Sequence, residues 1–198
     1  MRITRSPSEA ANLGGMRVAV FGGSFNPPHL GHVLAGTWIL ATGEVDHVLI
    51  VPANRHAFGK PLAPFELRMA LAQAAFACVA SCTVDPIEFE LSGESRTIFT
   101  LEALARLHPS WELRLVVGTD VVAESEKWFR FDDIRRLAPL LVLPRSDGGQ
   151  ASMLPVVSST HVRHLLRHEG AAAVRDLVPR AVHDLLDAAA IAALLGDP

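Results

Sequence analysis

From Met16 onward, short apolar runs rich in β-branched residues alternate with longer stretches of helical periodicity. This alternation limits the fold more than any other feature of the chain. RVAVF at 17–21 reads as a first buried strand ending in Gly22-Gly23, a helix is expected from about Leu30 to Thr42, and Val45–Val51 reads as a second strand. Pro64 opens a helix through Val79, since proline at a helix start gives up only an N–H that would go unbonded anyway. A weaker strand is expected at Ile87–Leu91 and a helix at Thr97–Leu107; ELRLVV at 112–117 and LLVL at 140–143 read as further strands. Helices are expected at Ser159–His168 and from Pro179 to about Leu195. Such alternation implies an α/β fold, a parallel sheet with helices on both faces. Ligands of these sheets bind beyond the carboxyl ends of the strands, where the strand order reverses. The loops after Phe21, Val51, Val117 and Leu143 are therefore the ones that matter for function.

The 198 residues suffice for one domain with a buried core, expected over residues 16–198. The first fifteen residues are polar, end in Gly14-Gly15 and lack the apolar centre of a signal peptide, so a disordered extension is expected there. No apolar run approaches the roughly 20 residues of a membrane span, and a cytoplasmic location is the expectation. Net charge is −3 with both signs interspersed, which leaves no electrostatic footprint for nucleic acid. Neither nucleic acid nor membrane is thus an expected partner, while a homo-oligomer stays open. Cys78 and Cys82 are too few for a disulfide framework or a four-cysteine zinc site and read as small buried apolar groups. His161, His164 and His168 share a helix face with no carboxylate or cysteine to complete a ligand set, so a solvated face is expected and no metal site.

The loop after the first strand is Gly22-Gly23-Ser24-Phe25-Asn26-Pro27-Pro28-His29-Leu30-Gly31-His32. Its glycines let the backbone approach a ligand closely, and it feeds a helix N-terminus whose free N–H groups and dipole favour an anion. His29 and His32 stand three apart on the first turn, so both can face one phosphate, and Gly31 removes a side chain between them. The bland alternative is a glycine turn with two surface histidines.

A second anion site is expected at Ser158-Ser159-Thr160-His161-Val162-Arg163, where Ser158 or Ser159 caps a helix and Arg163 adds charge-assisted bonds. Alone it is only a good N-cap beside an arginine; with the first loop it becomes a second phosphate clamp on the same rim. The third site is Gly118-Thr119-Asp120, where glycine admits a flat base or ribose and a carboxylate accepts from ribose hydroxyls. Trp128, eight residues on, supplies an indole for stacking. The chain has no Ser-His-Asp order, nucleophile elbow or Walker loop.

These three sites, in this order, resemble the nicotinate/nicotinamide mononucleotide adenylyltransferase family of NAD biosynthesis, from Met16 almost to the C-terminus. GGSFNPPHLGH, the GTD…W spacing and VSSTHVR carry the resemblance. It implies a Rossmann-like nucleotidyltransferase fold, ATP as substrate, and Mg2+ held mainly by the ATP phosphates. It implies His29, His32 and Arg163 as the catalytic phosphate ligands. ATP is then expected against Gly22, Gly23, Ser24, Phe25, His29, His32, Gly118, Asp120, Ser159, Thr160 and Arg163. The mononucleotide is expected against Ser24, Phe25, Asn54, Lys60, Arg96, Thr97 and Trp128, whose indole stacks on the pyridine ring. Three positions depart from the usual bacterial pattern. Asn26 stands where nicotinate-specific members usually have Asp, Phe58-Gly59-Lys60 looks like the Tyr-Gly-Lys of dual-specificity members, and Ser95-Arg96-Thr97 replaces Ser-Tyr-Thr.

The reaction expected is in-line attack of the mononucleotide phosphate on the α-phosphorus of ATP, giving deamido-NAD and pyrophosphate. A phosphate dianion needs no protein base, which accounts for the missing triad; the protein supplies position and positive charge from His29, His32, Lys60 and Arg163. Arg96 has five donors and no acceptor, so it suits the carboxylate of nicotinate and implies preference for that substrate; the alternative is that it faces solvent at a helix start. Rival readings are a dual-specificity or nicotinamide mononucleotide enzyme, a phosphopantetheine adenylyltransferase, and a non-catalytic nucleotide sensor.

Overall fold

The computed structural model describes residues 15–55, 59–91, 95–122, 128–143 and 157–196, with the side chains of Asp120 and Val121 outside that description. The expected N-terminal extension, apart from Gly15, lies outside the described residues. In chain order the elements are β1 (Arg17–Gly23), α1 (Leu30–Ala41), β2 (His47–Pro52), α2 (Phe65–Phe76), β3 (Cys82–Val84), α3 (Ile87–Glu90), α4 (Thr97–Leu107) and β4 (Glu112–Gly118). There follow α5 (Thr119–Val122), α6 (Phe131–Leu137), β5 (Leu140–Leu143), α7 (Ser159–His168), a 3-10 turn at Ala171–Val174, α8 (Arg180–His183) and α9 (Ala188–Leu195).

The strands form one sheet in the order β3-β2-β1-β4-β5, and every pairing is parallel. Val18 of β1 pairs with His47 of β2 on one side and Leu113 of β4 on the other. The order reverses between β1 and β4, so the switch point opens beyond Gly23 and Gly118. Successive strand residues point to opposite faces. Ala19, Phe21, Val48, Ile50 and Val116 accordingly pack with Val33, Ile39, Leu71, Phe76 and Val162 on one face. Val18, Val20, Leu49, Leu113 and Leu115 pack with Ile98, Leu101, Leu104 and Ile134 on the other. At the opposite end from the switch point, Arg17 binds Asp46 through two side-chain bonds, at 2.7 and 3.2 Å, and a backbone N–H bond at 2.9 Å. Hydrogen bonds from Arg17 hold the Asp46 carboxyl down at about 2.

Two expectations are corrected. Residues 87–91 are not a strand: Asp85 Oδ1 accepts the Ile87 N–H at 2.8 Å and Pro86 precedes the first helical residue, so the chain turns into α3. The third strand is Cys82–Val84 instead; it pairs only with β2, so it is a half-covered edge strand whose apolar signal is weak. The helix expected from Pro179 to Leu195 is two helices, because Asp187 caps a new start by accepting the Ala190 N–H at 2.8 Å.

Candidate active site

Beyond β1 the chain makes its closest turn. A Cβ on Gly23 would stand 3.1 Å from Cζ of Phe25, so any other residue there would crowd the ring that lies against this backbone. Phe25 takes φ +46°, a left-handed conformation costly for an aromatic residue. Burial holds it there: the ring is 1% exposed and meets Phe21, Phe76 and His32 at centroid distances of 5.9, 6.0 and 5.0 Å. The ring is core, so the side chain of Phe25 is not available to a ligand.

His29 is the N-cap of α1 and is buried, not a surface histidine. Its ring lies 3.8 Å from that of His32, and its backbone N–H donates to Nδ1 of His32 at 3.2 Å. With Nδ1 accepting, a neutral His32 carries its proton on Nε2, which fixes the ring as a donor at that atom. The Leu30 N–H, one of the helix-start donors expected to face an anion, is taken by the Leu177 carbonyl at 2.9 Å.

The second clamp meets this loop directly. Ser158, not Ser159, caps α7 by accepting the His161 N–H at 3.1 Å. That frees the Ser159 hydroxyl to donate to the Pro27 carbonyl at 2.8 Å, while Arg163 Nη1 donates to the Asn26 carbonyl. Arg163 Nη2 lies 3.5 Å from Thr160 Oγ1. Burial pushes the Arg163 guanidinium below its ordinary value, a shift that leaves arginine protonated. Asn26 is itself buried, its Oδ1 accepting the Ala63 N–H at 3.3 Å, so its amide builds the loop.

On its other side the loop walls a cavity of about 240 Å3. Gly22, Gly23 and Ser24 line it, together with Ala53, Arg55, Glu88, Ser95, Thr97, Thr100 and Trp128. Glu88 organises the wall: its carboxylate accepts the Asn54 N–H at 3.2 Å, the Thr100 hydroxyl at 3.0 Å and the Ser95 hydroxyl. Beneath the two loops sits Arg68, 1% exposed. It donates to the carbonyls of Ala53 (2.7 Å), Ala63 (2.9 Å) and Ser24 (3.0 Å) and lies 5.3 Å from the Phe65 ring centre. Burial lowers its pKa, with Glu66 and Glu88 acting in the other direction.

The chain matches the cytidylyltransferase-like family model over residues 20–165. It is 44% identical to a "Probable nicotinate-nucleotide adenylyltransferase" of Anaeromyxobacter dehalogenans (strain 2CP-C), over 84% of this chain and 91% of the relative. It is 38% identical to the protein of the same name in Myxococcus xanthus (strain DK1622), over 83% and 88%. The chain belongs to the nicotinate-nucleotide adenylyltransferase family. The fold agrees with a solved structure of Plasmodium falciparum nicotinic acid mononucleotide adenylyltransferase complexed with NaAD (TM-score 0.68, 16% identity, 85% of this chain and 93% of that one).

In this family member, a nucleotidyltransferase, the structure gathers the expected residues in two groups. His29, His32, Ser159 and Arg163 converge on the loop after β1, whereas Gly22, Gly23, Ser24, Thr97 and Trp128 line the cavity. Gly118 closes β4 at the switch point, and the Asp120 side chain lies outside the described residues. Four residues expected on the mononucleotide do not line the cavity: Phe25, whose ring is core, Asn54, Lys60 and Arg96. Lys60 is exposed, Asn54 contributes its backbone N–H to Glu88, and Arg96 is exposed with its guanidinium 5.2 Å from the Phe129 ring centre. Arg96 turns outward because it is the extended N-cap of α4, so its neighbours Ser95 and Thr97 face the cavity instead. Sequence reasoning missed Arg55, Glu88, Thr100 and Arg68. Only Arg68 left a signal: with Phe65, Met69, Ala72 and Phe76 it falls on the buried face of α2.

Proposed function

We propose that the chain transfers the AMP moiety of ATP to nicotinate mononucleotide, forming deamido-NAD and pyrophosphate. The observation that carries this reading is one loop with two sides: His29, His32 and the Ser159–Arg163 clamp on one, a cavity holding Trp128 on the other. On this reading the triphosphate takes the first and the pyridine nucleoside the second, which would bring the two phosphates together at the loop. The mononucleotide phosphate attacks the α-phosphorus in line and pyrophosphate departs. His32 Nε2–H, the His29 ring and the Arg163 guanidinium stabilise the negative charge that builds on the leaving group. Thr160 and Ser159 position the triphosphate, and Trp128 stacks on the pyridine ring.

ATP enters as its Mg2+ complex, the ion held by phosphate oxygens and water. Among the described residues no group of three His, Cys, Asp or Glu side chains is placed to hold a metal ion. No described helix is long and apolar enough to cross a membrane, and NAD biosynthesis in the cytoplasm is the setting this reading implies. Pyrophosphate release from ATP, measured with nicotinate mononucleotide, nicotinamide mononucleotide and phosphopantetheine in turn, tests it. Fastest turnover is expected with the nicotinate substrate; release only with phosphopantetheine, or with none of the three, would overturn the reading.

A further inference from the structure

Nicotinate and nicotinamide mononucleotides differ only in a carboxylate against a carboxamide, so discrimination requires a donor-only group at that end of the pyridine subsite. Among the described residues that line the cavity, two are charged, Glu88 and Arg55. Glu88 is already occupied by three donors and faces the wrong sign of charge for a carboxylate. Its bond to the Asn54 N–H also fixes the backbone one residue before Arg55, which aims the arginine from a held position. Arg55 makes no hydrogen bond or ion pair among the described residues. Arg96 and Lys60, the other cations of these loops, do not line the cavity. The other polar side chains of the lining are the Ser24, Ser95, Thr97 and Thr100 hydroxyls, which serve an amide and a carboxylate alike, and the Trp128 indole N–H, a single uncharged donor without the paired donors of a guanidinium.

Resting on the function proposed above, we infer that Arg55 is the specificity-determining residue that reads the nicotinate carboxylate. A guanidinium presents a planar pair of N–H donors that a carboxylate accepts from both oxygens. A carboxamide offers one acceptor oxygen and an NH2 group that arginine cannot satisfy, so one pair of donors is left facing each other. Trp128 in the same cavity supplies the stacking that both substrates share.

The rival role for Arg55 is the 5′-phosphate, which both mononucleotides carry, so the two substrates separate the roles. kcat/KM for each is measured with the full chain, saturating ATP and Mg2+, in wild type, Arg55→Leu and Arg55→Lys; an inhibition constant replaces kcat/KM for a substrate that binds without turnover. Arg55 is exposed, so both variants are expected to keep the wild-type melting temperature. The expected result for Arg55→Leu is a loss of at least about tenfold for nicotinate mononucleotide, carried by KM, with the nicotinamide substrate within about twofold of wild type. Arg55→Lys keeps the charge without the fork and should fall between. Equal losses for both substrates would put Arg55 on the phosphate, and no loss for either would remove it from the site; both overturn the inference. A wild-type enzyme inert towards both mononucleotides would instead overturn the function on which it rests.

Discussion

The Ser159 hydroxyl donates to the Pro27 carbonyl at 2.8 Å, across 132 residues of chain. With the neighbouring bond from Arg163 to Asn26, it joins two segments, each proposed to bind phosphate, that are far apart in sequence. The helix that carries the second clamp is therefore placed by the loop that carries the first.

His32→Ala should lower kcat about 10²–10³-fold, the usual cost of losing a donor aimed at developing charge. The ring is half-buried at the start of α1, so the melting temperature should move little. Steady-state kinetics beside a thermal melt check this, and turnover within a fewfold of wild type would take His32 out of the mechanism.

Arg68→Met should destabilise the fold by about 2–5 kcal/mol, because one buried and two part-buried carbonyls lose their donor while the apolar stem is kept. Arg68→Lys keeps the charge but not the fork and should recover only part of the loss. Urea unfolding reads the first effect. KM for both substrates should also rise, since Ser24 and Ala53 lose their common anchor, and a stability loss with unchanged KM would confine Arg68 to the core.

Trp128→Ala should raise KM for the mononucleotide several-fold and leave KM for ATP nearly unchanged. Trp128 lines the cavity, on the far side of the loop from Arg163 and Ser159, so its removal touches one substrate. A defect confined to ATP would reverse the assignment of the two subsites.

His47 should make stability fall with acid. Burial holds its pKa below 6.5, and its Nε2 pairs with Thr83 Oγ1 at 2.8 Å. The unfolded chain then binds more protons than the folded one between the lowered value and 6.5. The contribution is complete above pH 6.5 and is lost as pH falls through that value towards the folded pKa. Unfolding free energies from pH 8 to pH 5 should therefore drop less steeply in His47→Gln than in wild type. His47 begins β2, at the end of the sheet away from the site, so activity per folded molecule should not follow the same curve.

Much of this was legible in the chain. Helices Thr97–Leu107 and Ser159–His168 and strand Leu140–Leu143 end where their caps and apolar periods say they should. That the two histidines, Ser159 and Arg163 belong together was visible because phosphate chemistry uses few residue types, and the structure brings them to one loop. Side-chain direction was not visible. Arg96 and Arg55 are both arginines in loops at the carboxyl ends of strands or helix starts, yet one stacks on Phe129 and the other lines the cavity. That choice depends on neighbours brought in by the fold, as does the burial of His29 under a loop that reads as polar. Short β3 was hidden because an edge strand needs only half an apolar surface.

The long reach from Ser159 to Pro27 also dates the enzyme's competence during synthesis. Every described residue that lines the cavity is at or before Trp128 and the last strand ends at Leu143, so the cavity lining and all five strands precede in sequence the helix that carries Ser159 and Arg163. Contacts of such sequence separation pay their loop-closure entropy last. A nascent chain that stops short of α7 has every described residue of the cavity lining but lacks Ser159 and Arg163. On the function proposed above, turnover of ATP would wait until that helix has emerged and docked, whereas the cavity lining is already complete in sequence.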